Sequence, residues 1–477
     1  MTEPGPKRGL DPVKLSVVIP CYNEESTLEK CVHRVMDIAD ENLALEIIII
    51  DDCSSDHSVS IAESLASRYP EVVVQKHEKN MGKGAALRTG FARAAGDFVA
   101  VQDADLEYHP QEYPKLIEPI LDGRADVVYG SRFLGTPRRV LMFRHTLGNK
   151  LLTFFSNLCT DLNLTDMETG YKVFKKEVLE HLRLRSNRFG FEPEVTAKIA
   201  KMNYRIYEVP ISYSGRDYWE GKKINWMDGL KAVFSILRYH FFDSETQDTV
   251  YQTLQKMKKL HRYNRWIFSK FQPFLGRRVL EIGSGTGNIT KFLLDRDLII
   301  ATDVEPKYLT FLRNTFEKYK KFKVEHLDIS GAETERYRSF HIDSVICFNV
   351  LEHVEQDETA LRRIFSLLEP GGRLLLLVPS HPLLYGSIDK NLGHHRRYGK
   401  KELKNKLEAV GFKVALMKYF NRIGTLGWFL NSNVLRRKKL PTFQLRIYNF
   451  LVPLLKLEKF FPLPFGTSLL AVAEKPE

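Results

Sequence analysis

Short apolar runs alternate with longer amphipathic stretches in the first half of the chain. The amphipathic stretches predict helices of ordinary length. Strands that alternate with such helices indicate a mostly parallel sheet with helices on both faces. The predicted strands are Ser16–Pro20, Glu46–Ile50, Val72–Gln75, Asp97–Val101 and Asp126–Tyr129.

A second alternation begins at Arg277, after a charged, glycine-free stretch over residues 243–262 that suits a helical linker. At 477 residues the chain is too long for one ordinary core, since a domain averages about 150 residues. We therefore predict an α/β protein with two domains, residues 1–242 and 263–477, joined by that linker. The predicted strands of the second domain are Arg278–Ile282, Leu298–Thr302, Lys323–Leu327, Ser344–Phe348 and Arg373–Val378.

The composition is that of a soluble globular protein, with 43% hydrophobic and 27% charged residues. The five cysteines show no Cys-x-x-Cys spacing, which indicates a reducing compartment without a disulfide frame or a cysteine zinc site. The segment Met1–Lys14 is polar, unlike a signal peptide. No apolar run approaches the ~20 residues that a spanning helix needs. We expect a cytoplasmic protein.

The basic excess of the chain is local. Residues 1–240 hold 32 Lys and Arg against 34 Asp and Glu, whereas Lys390–Phe460 alone holds 17 against 3, a balance of +14. No nucleic-acid motif accompanies the basic segment, so nucleic acid is not a predicted partner. We favour an anionic membrane surface on the cytoplasmic face, or a phosphorylated acceptor. A solvated basic face is the alternative.

Several polar turns of the first half follow predicted strands or open a helix. Pro20–Glu24 ends the first strand, Asp52 follows the second, Gly82-Lys83-Gly84 opens a helix, and Asp103-Ala104-Asp105 closes the fourth strand. Ligands of open α/β sheets bind outside the carboxyl ends of strands, and helix N-termini attract anions. Paired carboxylates hold a divalent cation against a diphosphate. The combination predicts a nucleotide site.

The succession of these motifs, followed by Gly130-Ser131-Arg132, resembles the inverting family 2 glycosyltransferases with the GT-A fold. Among them it is most similar to the dolichol- and polyprenyl-phosphate mannosyl- and glucosyltransferases. The resemblance covers Leu15–Phe242. It implies a GDP- or UDP-linked sugar donor, a lipid-linked or glycan acceptor, and Mg²⁺ or Mn²⁺ held by Asp103 and Asp105. The positions that match nucleotide-sugar contacts of the family are Pro20, Tyr22, Glu24, Ile50, Asp52, Ala104, Arg216 and Lys222.

Four further positions bear on the chemistry that the resemblance implies. Arg132 matches the arginine that steers phosphate groups in the family. Glu107 stands where the metal site of the family has a glutamine, and it adds a negative charge near the cation. A phosphate acceptor needs no strong base, whereas a hydroxyl acceptor does. Asp166 is the candidate base, with a turn cap as the alternative. Glu192 replaces a lysine of some mannosyltransferases, so mannose does not follow as the sugar.

The second half contains a glycine-rich turn, Glu281–Gly287, between a strand and a predicted helix. Dinucleotide-binding folds use similar glycines. Here Asp303 ends the next strand about twenty residues on, as a ribose-binding carboxylate should, and Asp328 and Asn349 follow the third and fourth strands. This succession, over Tyr263–Lys475, resembles the class I S-adenosylmethionine-dependent methyltransferases, which have a Rossmann-like fold.

The resemblance implies S-adenosylmethionine as the cofactor. Methyl transfer is an in-line displacement in which positioning supplies most of the catalysis, so the pattern requires no metal. His394 is the candidate base for a sugar hydroxyl, and partly buried packing is its alternative role. The matching cofactor positions are Glu281, Gly283 and Gly285 for the methionine part, Gly287 in the same turn, Asp303 for the ribose, Asp328 and Ile329 for the adenine, and Asn349 for the methyl-transfer site.

We therefore predict a bifunctional enzyme that transfers a sugar and methylates, on oxygen, the product or a neighbour in the same glycan pathway. One alternative gives the first half a hydroxyl acceptor on a soluble glycan or small molecule. Another makes one half a non-catalytic binding module. The intact Asp103, Asp105 and Gly283–Gly287 argue against this last alternative.

Overall fold

The computed structural model describes residues 12–135, 143–188, 190–215, 226–243, 249–316, 318–331, 333–439, 441–460 and 463–477. The chain divides into two compact units, Met1–Gln247 and Asp248–Glu477. Each unit is built on its own seven-stranded sheet. The prediction of an α/β chain with two separate sheets is confirmed.

The sheet of the first unit has the order β3-β2-β1-β4-β6-β5-β7. Only β6 is antiparallel to its neighbours, β4 and β5. The strands are β1 (Val13–Cys21), β2 (Leu43–Asp51), β3 (Val72–Lys76), β4 (Phe98–Val101), β5 (Val127–Ser131), β6 (Lys172–Lys175) and β7 (Ile206–Pro210). The helices are α1 (Leu28–Met36), α2 (Ser58–Arg68), α3 (Lys83–Arg93), α4 (Tyr113–Leu121), α5 (Phe143–Thr160), α6 (Lys176–His181), α7 (Phe191–Lys201) and α8 (Trp226–Phe241).

The central strands β1 and β2 are buried on both faces. Val17 and Val18, which are adjacent in β1, are both fully buried, and so are Ile48 and Ile49 in β2. A parallel sheet with helices on both sides requires such continuous apolar strands. Because β1 pairs in parallel with both β2 and β4, the polar residues that follow these three strands share one edge of the sheet.

The sheet of the second unit has the order β10-β9-β8-β11-β12-β14-β13, with only β14 antiparallel to its neighbours. The strands are β8 (Arg278–Ile282), β9 (Leu298–Asp303), β10 (Phe322–His326), β11 (Ile342–Phe348), β12 (Leu368–Pro379), β13 (Lys413–Phe420) and β14 (Ser468–Glu474). The helices are α9 (Thr249–Lys258), α10 (His261–Phe271), α11 (Pro306–Phe316), α12 (Asp357–Leu367), α13 (Ser387–Leu392), α14 (Lys400–Val410), α15 (Gly424–Phe429) and α16 (Thr442–Leu455).

All ten predicted strands are present, with somewhat different ends. The sequence did not predict β6, β7, β13 and β14. Strands β6 and β7 are short and carry charged residues, so their hydrophobic pattern is weak. They form because neighbouring strands offer pairing partners. That residues 243–262 form a linker between two domains stays a prediction. Helix α9 lies within this range. Among the described residues, no helix is both long enough and apolar enough to cross a bilayer.

Candidate active sites

The carboxyl ends of β1, β2 and β4 form an open edge of the first unit. Pro20 pairs in register with Ile50, and Val18 pairs with Val101, so the turns after these strands lie side by side. Tyr22 has 44% of its surface exposed, and its ring is available to contact a planar group such as a base. Ile50 is buried in the core, so only its backbone can face a ligand.

Asp52 fixes the glycine-containing turn before α3. Its carboxylate accepts hydrogen bonds from His77 Nδ1 at 2.7 Å, from the Met81 amide at 2.8 Å and from the Gly82 amide at 2.6 Å. Gly82 has a φ of 93°, and a Cβ at this position would overlap the carbonyl of Asn187. The turn therefore requires glycine. The predicted nucleotide contact of Asp52 stays a prediction, and the structure shows its anchoring role.

Glu24 and Ala104 belong to the frame of the same edge. Glu24 Oε2 accepts a hydrogen bond from the Thr27 hydroxyl at 2.6 Å, and the Glu24 amide donates to Ser58 Oγ at 2.8 Å. The side chain of Ala104 is buried. These contacts hold the turns after β1 and β4 in place.

Asp103 is the charged centre of this edge. Lys83 Nζ lies 2.7 Å from Asp103 Oδ1 and 3.4 Å from Glu192 Oε1. Burial alone would lower the pKa of Lys83, but the two carboxylates more than offset it and raise that pKa. An ammonium group therefore stands beside the carboxylate that was predicted to hold a diphosphate through a cation.

Asp103, Asp105 and Glu107 follow one another at every second position in the segment after β4. The backbone is left-handed at Leu106, with a φ of 60°, and the Glu107 amide donates to Asp105 Oδ1 at 3.2 Å. The Tyr213 hydroxyl donates to Glu107 Oε2 at 2.6 Å, so Glu107 is oriented by a neighbouring loop. Hard divalent cations take carboxylate oxygens as ligands. This set of donors fits Mg²⁺ or Mn²⁺.

Arg132 and Asp166 form a buried ion pair. Arg132 Nε and Nη2 each donate to Asp166 at 2.7 Å, and the Arg132 amide donates to it at 3.0 Å. Burial opposes the charge of Arg132, but Tyr108 and Asp166 keep its pKa well above the usual value. Both oxygens of Asp166 accept from Arg132, so the geometry favours Asp166 as the residue that positions this arginine. Its predicted role as a base stays a prediction.

Two of the predicted residues cannot be placed. Arg216 and Lys222, the predicted basic pair of the donor-closing loop, lie outside the described residues.

In the second unit, the turn after β8 has a backbone that only glycine adopts readily. Gly283, Gly285 and Gly287 have φ values of 70°, 53° and 70°. A Cβ on Gly285 would lie 2.9 Å from Leu254 Cδ1, and one on Gly287 would lie 2.6 Å from Phe316 Cε2. The turn is therefore packed closely from both sides, and helix α9 supplies one of those sides.

Glu281 and Asp303 are buried carboxylates at the ends of β8 and β9. Asp303 Oδ2 accepts from the Gly285 amide at 2.9 Å, and Glu281 Oε2 accepts from the Thr290 hydroxyl at 2.6 Å. Burial raises the pKa of Glu281 to about 7 and also raises the pKa of Asp303. A ligand that brings a positive charge or hydroxyl donors would stabilise their ionised forms.

The remaining predicted cofactor positions follow the neighbouring strands. Asp328 and Ile329 come after β10; Ser330 donates to Asp328, which lowers the pKa of that carboxyl. Asn349 follows β11 with a φ of 53°, and its amide donates to the Leu377 carbonyl at 2.8 Å. Because β10, β9, β8 and β11 are consecutive in the sheet, the structure brings all the predicted cofactor residues to one edge.

His394 is held by a buried acid. Its Nδ1 donates to Asp389 Oδ1 at 2.9 Å, and its Nε2 lies 3.9 Å from Glu352 Oε1. Arg397 Nε donates to the same Asp389 oxygen at 2.8 Å, and its guanidinium lies 4.6 Å above the ring of Trp428. The ring of His394 therefore has one fixed orientation. Its predicted role as a base stays a prediction.

Two ranges of the chain match known families, and these matches confirm the prediction of a GT-A fold and a methyltransferase fold. Residues 16–183 match the family Glycosyl transferase family 2, and residues 280–374 match the family Methyltransferase domain. The first range contains the turn from Asp103 to Glu107, and the second contains the Gly283–Gly287 turn. The chain joins a family 2 glycosyltransferase domain to a methyltransferase domain.

Relatives of the glycosyltransferase domain include two mannosyltransferases. The chain is 33% identical over 230 residues to the dolichol-phosphate mannosyltransferase of Pyrococcus furiosus. The matched residues make up 48% of this chain and 62% of that relative. It is 28% identical over 237 residues to the undecaprenyl-phosphate mannosyltransferase of Micrococcus luteus, covering 48% of this chain and 94% of the relative. Glucosyl-3-phosphoglycerate synthase from Mycobacterium tuberculosis, solved with Mn²⁺, UDP and phosphoglyceric acid, matches at 21% identity and a TM-score of 0.40, over 49% of this chain and 80% of that one.

The sequence reasoning missed a buried lysine in the glycosyltransferase domain. Lys172 in β6 is fully buried; its Nζ donates to the carbonyls of Met167 and Thr169 and lies 4.4 Å above the ring of Tyr129. Burial lowers the pKa of Lys172 and raises the pKa of the nearby Glu168. The sequence around Lys172 carries two further lysines, Lys175 and Lys176, so no local signal set Lys172 apart.

In the methyltransferase domain the sequence reasoning missed Glu352 and His353. After β11 it assigned a role only to Asn349. Burial raises the pKa of the Glu352 carboxyl to about 8, and burial together with His394 lowers the pKa of His353 to about 4. The available signal was an acid next to a histidine at the end of a strand.

Proposed function

We propose that the glycosyltransferase domain transfers a sugar from a GDP- or UDP-linked donor to a polyprenyl-phosphate or related lipid-linked acceptor. The observation that carries this proposal is the ion pair of Asp103 with the ammonium of Lys83 at the carboxyl edge of the sheet, with Asp105 and Glu107 following in the same segment. Such a group suits a nucleoside diphosphate with its cation. The two mannosyltransferases named above support a lipid-phosphate acceptor.

The reaction is a displacement at the anomeric carbon. An oxygen of the acceptor phosphate forms the new bond on one face of the sugar, while the bond to the nucleoside diphosphate breaks on the other. Asp103, Asp105 and Glu107 would hold Mg²⁺ or Mn²⁺, which supplies charge neutralisation to the leaving diphosphate. Lys83 adds a fixed positive charge on the same side. An acceptor that is already an anion has no proton to lose, so no base is required.

The Arg132–Asp166 pair favours this acceptor over a hydroxyl. Asp166 is fully buried and bound to Arg132 through both oxygens, so it serves poorly as a base for a hydroxyl. Arg132 keeps its positive charge and a fixed orientation, as a group that steers phosphates must. A hydroxyl acceptor on a soluble glycan is therefore the second candidate.

A panel of donors tests the proposal. The full chain is incubated with GDP- and UDP-sugars, a divalent cation and polyprenyl phosphate, and release of the nucleoside diphosphate is measured. We expect release from one donor class, dependent on both the cation and the lipid phosphate. Equal release with a soluble glycan that carries only hydroxyl acceptors, in the absence of the lipid, would contradict the lipid acceptor.

We infer that the methyltransferase domain uses S-adenosylmethionine to methylate an oxygen of a glycan in the same pathway. The left-handed glycines of the Gly283–Gly287 turn would allow close approach of the methionine part, and Asp303, which contacts this turn, would accept hydrogen bonds from ribose hydroxyls. The buried carboxyl of Glu281 suits a cationic amino group. S-adenosylmethionine supplies an electrophilic methyl group, so the contribution of the protein is mainly to align donor and acceptor.

We propose that the protein attaches peripherally to an anionic membrane surface, on the cytoplasmic face. In α15 and α16, Leu426, Phe443 and Phe450 have 75%, 73% and 70% of their surfaces exposed. The basic segment Arg436–Lys439 lies between these helices and is also exposed. Large exposed apolar side chains next to basic residues suit the interface of a bilayer.

The glycosyltransferase domain has an apolar stripe of its own on α5. The exposed residues follow one another at spacings of three or four positions, which places them on one face of the helix. The stripe comprises Phe143, Leu147, Leu151, Phe154 and Leu158. It supports the same proposal, because a lipid-linked acceptor has to be reached at the bilayer.

Co-sedimentation with vesicles tests the attachment. We expect wild type to bind anionic vesicles at low salt and to be released at high salt. Changing the four residues Arg436–Lys439 to glutamine should weaken binding at least about tenfold, since each basic residue near the surface contributes about 1 kcal/mol. The matched control changes four exposed lysines elsewhere in the basic range Lys390–Phe460 to glutamine: Lys400, Lys401, Lys404 and Lys413. Negligible binding of wild type to both vesicle types at low salt, or an equal loss in the control, would contradict the proposal.

A further inference from the structure

Three side chains of metal-binding type meet after β11 in the methyltransferase domain. Glu352, His353 and His394 each offer one ligand atom, and these three atoms all lie within 4.8 Å of one another. The rings of His353 and His394 meet edge to face, with centroids 4.8 Å apart. His394 is distant in the sequence, so only the fold brings it to the other two.

Glu352 lacks the hydrogen bonds that a buried carboxylate needs. Its side chain is fully buried, and among the described residues neither of its carboxylate oxygens has a hydrogen-bond partner. The ring nitrogen Nε2 of His394, 3.9 Å from Oε1, is too far away to donate one. Buried charges in proteins are usually paired or bound to metal ions. Both carboxylate oxygens of Glu352 are therefore available to a ligand that supplies positive charge.

His394 is prepared to act as a ligand through Nε2. Its Nδ1 donates to Asp389, which is fully buried and is itself held by Arg397 at 2.8 Å. A carboxylate that accepts from one ring nitrogen fixes the tautomer, so the other nitrogen carries a lone pair. In His394 that lone pair is on Nε2, the nitrogen closer to Glu352.

We propose that Glu352, His353 and His394 bind one divalent transition-metal ion. Two imidazoles and one carboxylate suit Zn²⁺, Mn²⁺ or Fe²⁺ better than Mg²⁺ or Ca²⁺. Ligand atoms about 2.1 Å from an ion are at most about 4.2 Å apart, so the separations within the cluster have to shorten by at most about 0.6 Å. Three protein ligands leave at least one coordination position open.

The open position suits an oxygen of the methyl acceptor, and this role rests on the proposed methyl transfer. Val350, two residues before Glu352, packs against Gly283 of the glycine-rich turn, so the cluster adjoins the predicted cofactor site. A metal ion there would bind a hydroxyl or phosphate oxygen and orient it. His394 would then act as a metal ligand instead of a base.

Metal content measured on the full chain tests the site. The Asp105→Ala variant serves as the parent, because it removes the predicted metal site of the glycosyltransferase domain. After equilibrium dialysis against Zn²⁺ or Mn²⁺, we expect about one bound ion per chain. Adding Glu352→Gln or His353→Ala should weaken binding at least tenfold. Adding His395→Ala, which removes the exposed histidine next to His394, should leave it unchanged.

Three results would overturn the site: no ion bound by the parent, unchanged binding in both ligand variants, or an equal loss in the His395→Ala control. Melting temperatures check that each variant is folded. Calorimetry with S-adenosylmethionine in metal-free buffer separates the two proposals. Metal binding without cofactor binding would refute the methyl transfer and leave the site, whereas cofactor binding without metal binding would refute the site.

Discussion

The Asp105→Ala variant is expected to transfer sugar at least about 100-fold more slowly than wild type, since loss of one group that stabilises developing charge has an effect of about this size. Asp105 lies two residues after Asp103 and accepts a hydrogen bond from the Glu107 amide. Its removal would take away one predicted metal ligand and would loosen the segment that carries the other two. Asp103 remains beside Lys83. The measurement is the initial rate of nucleoside diphosphate release with a saturating donor and lipid phosphate.

The matched control is Asp122→Ala. Asp122 is an exposed acid at the end of α4 that pairs with Arg124, and its loss should leave the rate within about twofold of wild type. S-adenosylmethionine binding by Asp105→Ala should also be unchanged, because the residue belongs to the other unit. Transfer at the wild-type rate in the absence of divalent cation would show that the metal assignment is wrong.

The Gly285→Val variant is expected to lose detectable binding of S-adenosylmethionine. Gly285 has a φ of 53°, and a Cβ there would lie 2.9 Å from Leu254. Its amide also donates to Asp303, so a shifted turn would misplace the carboxylate predicted to bind the ribose. Calorimetry of the full chain checks this result.

Gly371→Val is the control for backbone strain. Gly371 has a φ of 74° and no atom within 4 Å of the position of a Cβ, so the variant carries the left-handed strain of about 1–2 kcal/mol without filling a site. It should bind S-adenosylmethionine as wild type does. Tight binding of a nicotinamide dinucleotide by wild type, with none of S-adenosylmethionine, would contradict the methyltransferase assignment.

Much of both folds could be predicted from the sequence because the signals are local. A central strand such as β1 or β8 is an apolar run whose burial on both faces leaves little other choice of structure. The turns that end these strands need particular residues. Gly283 and Gly285 adopt left-handed backbone, and Asp103 follows its strand directly. Spacing along the chain was sufficient to predict them.

The partners of those residues could not be predicted, because they come from distant parts of the chain. Asp166 looked like a base in the sequence, and only the fold shows that Arg132 occupies its carboxylate. Lys172 looked like an ordinary lysine, and its burial depends on β6 being inserted antiparallel between β4 and β5. A buried charge depends on what surrounds it in space, which no local pattern records.

The sequence by itself determined two α/β domains, the order of their motifs and the identity of both families, since strand pattern and turn chemistry are properties of adjacent residues. The tertiary structure decided how charges are paired. It placed Lys83 and Glu192 around Asp103, and it brought His394 to Glu352 and His353. Electrostatic energy depends on distance through space and on burial, and both are set only when the chain has folded.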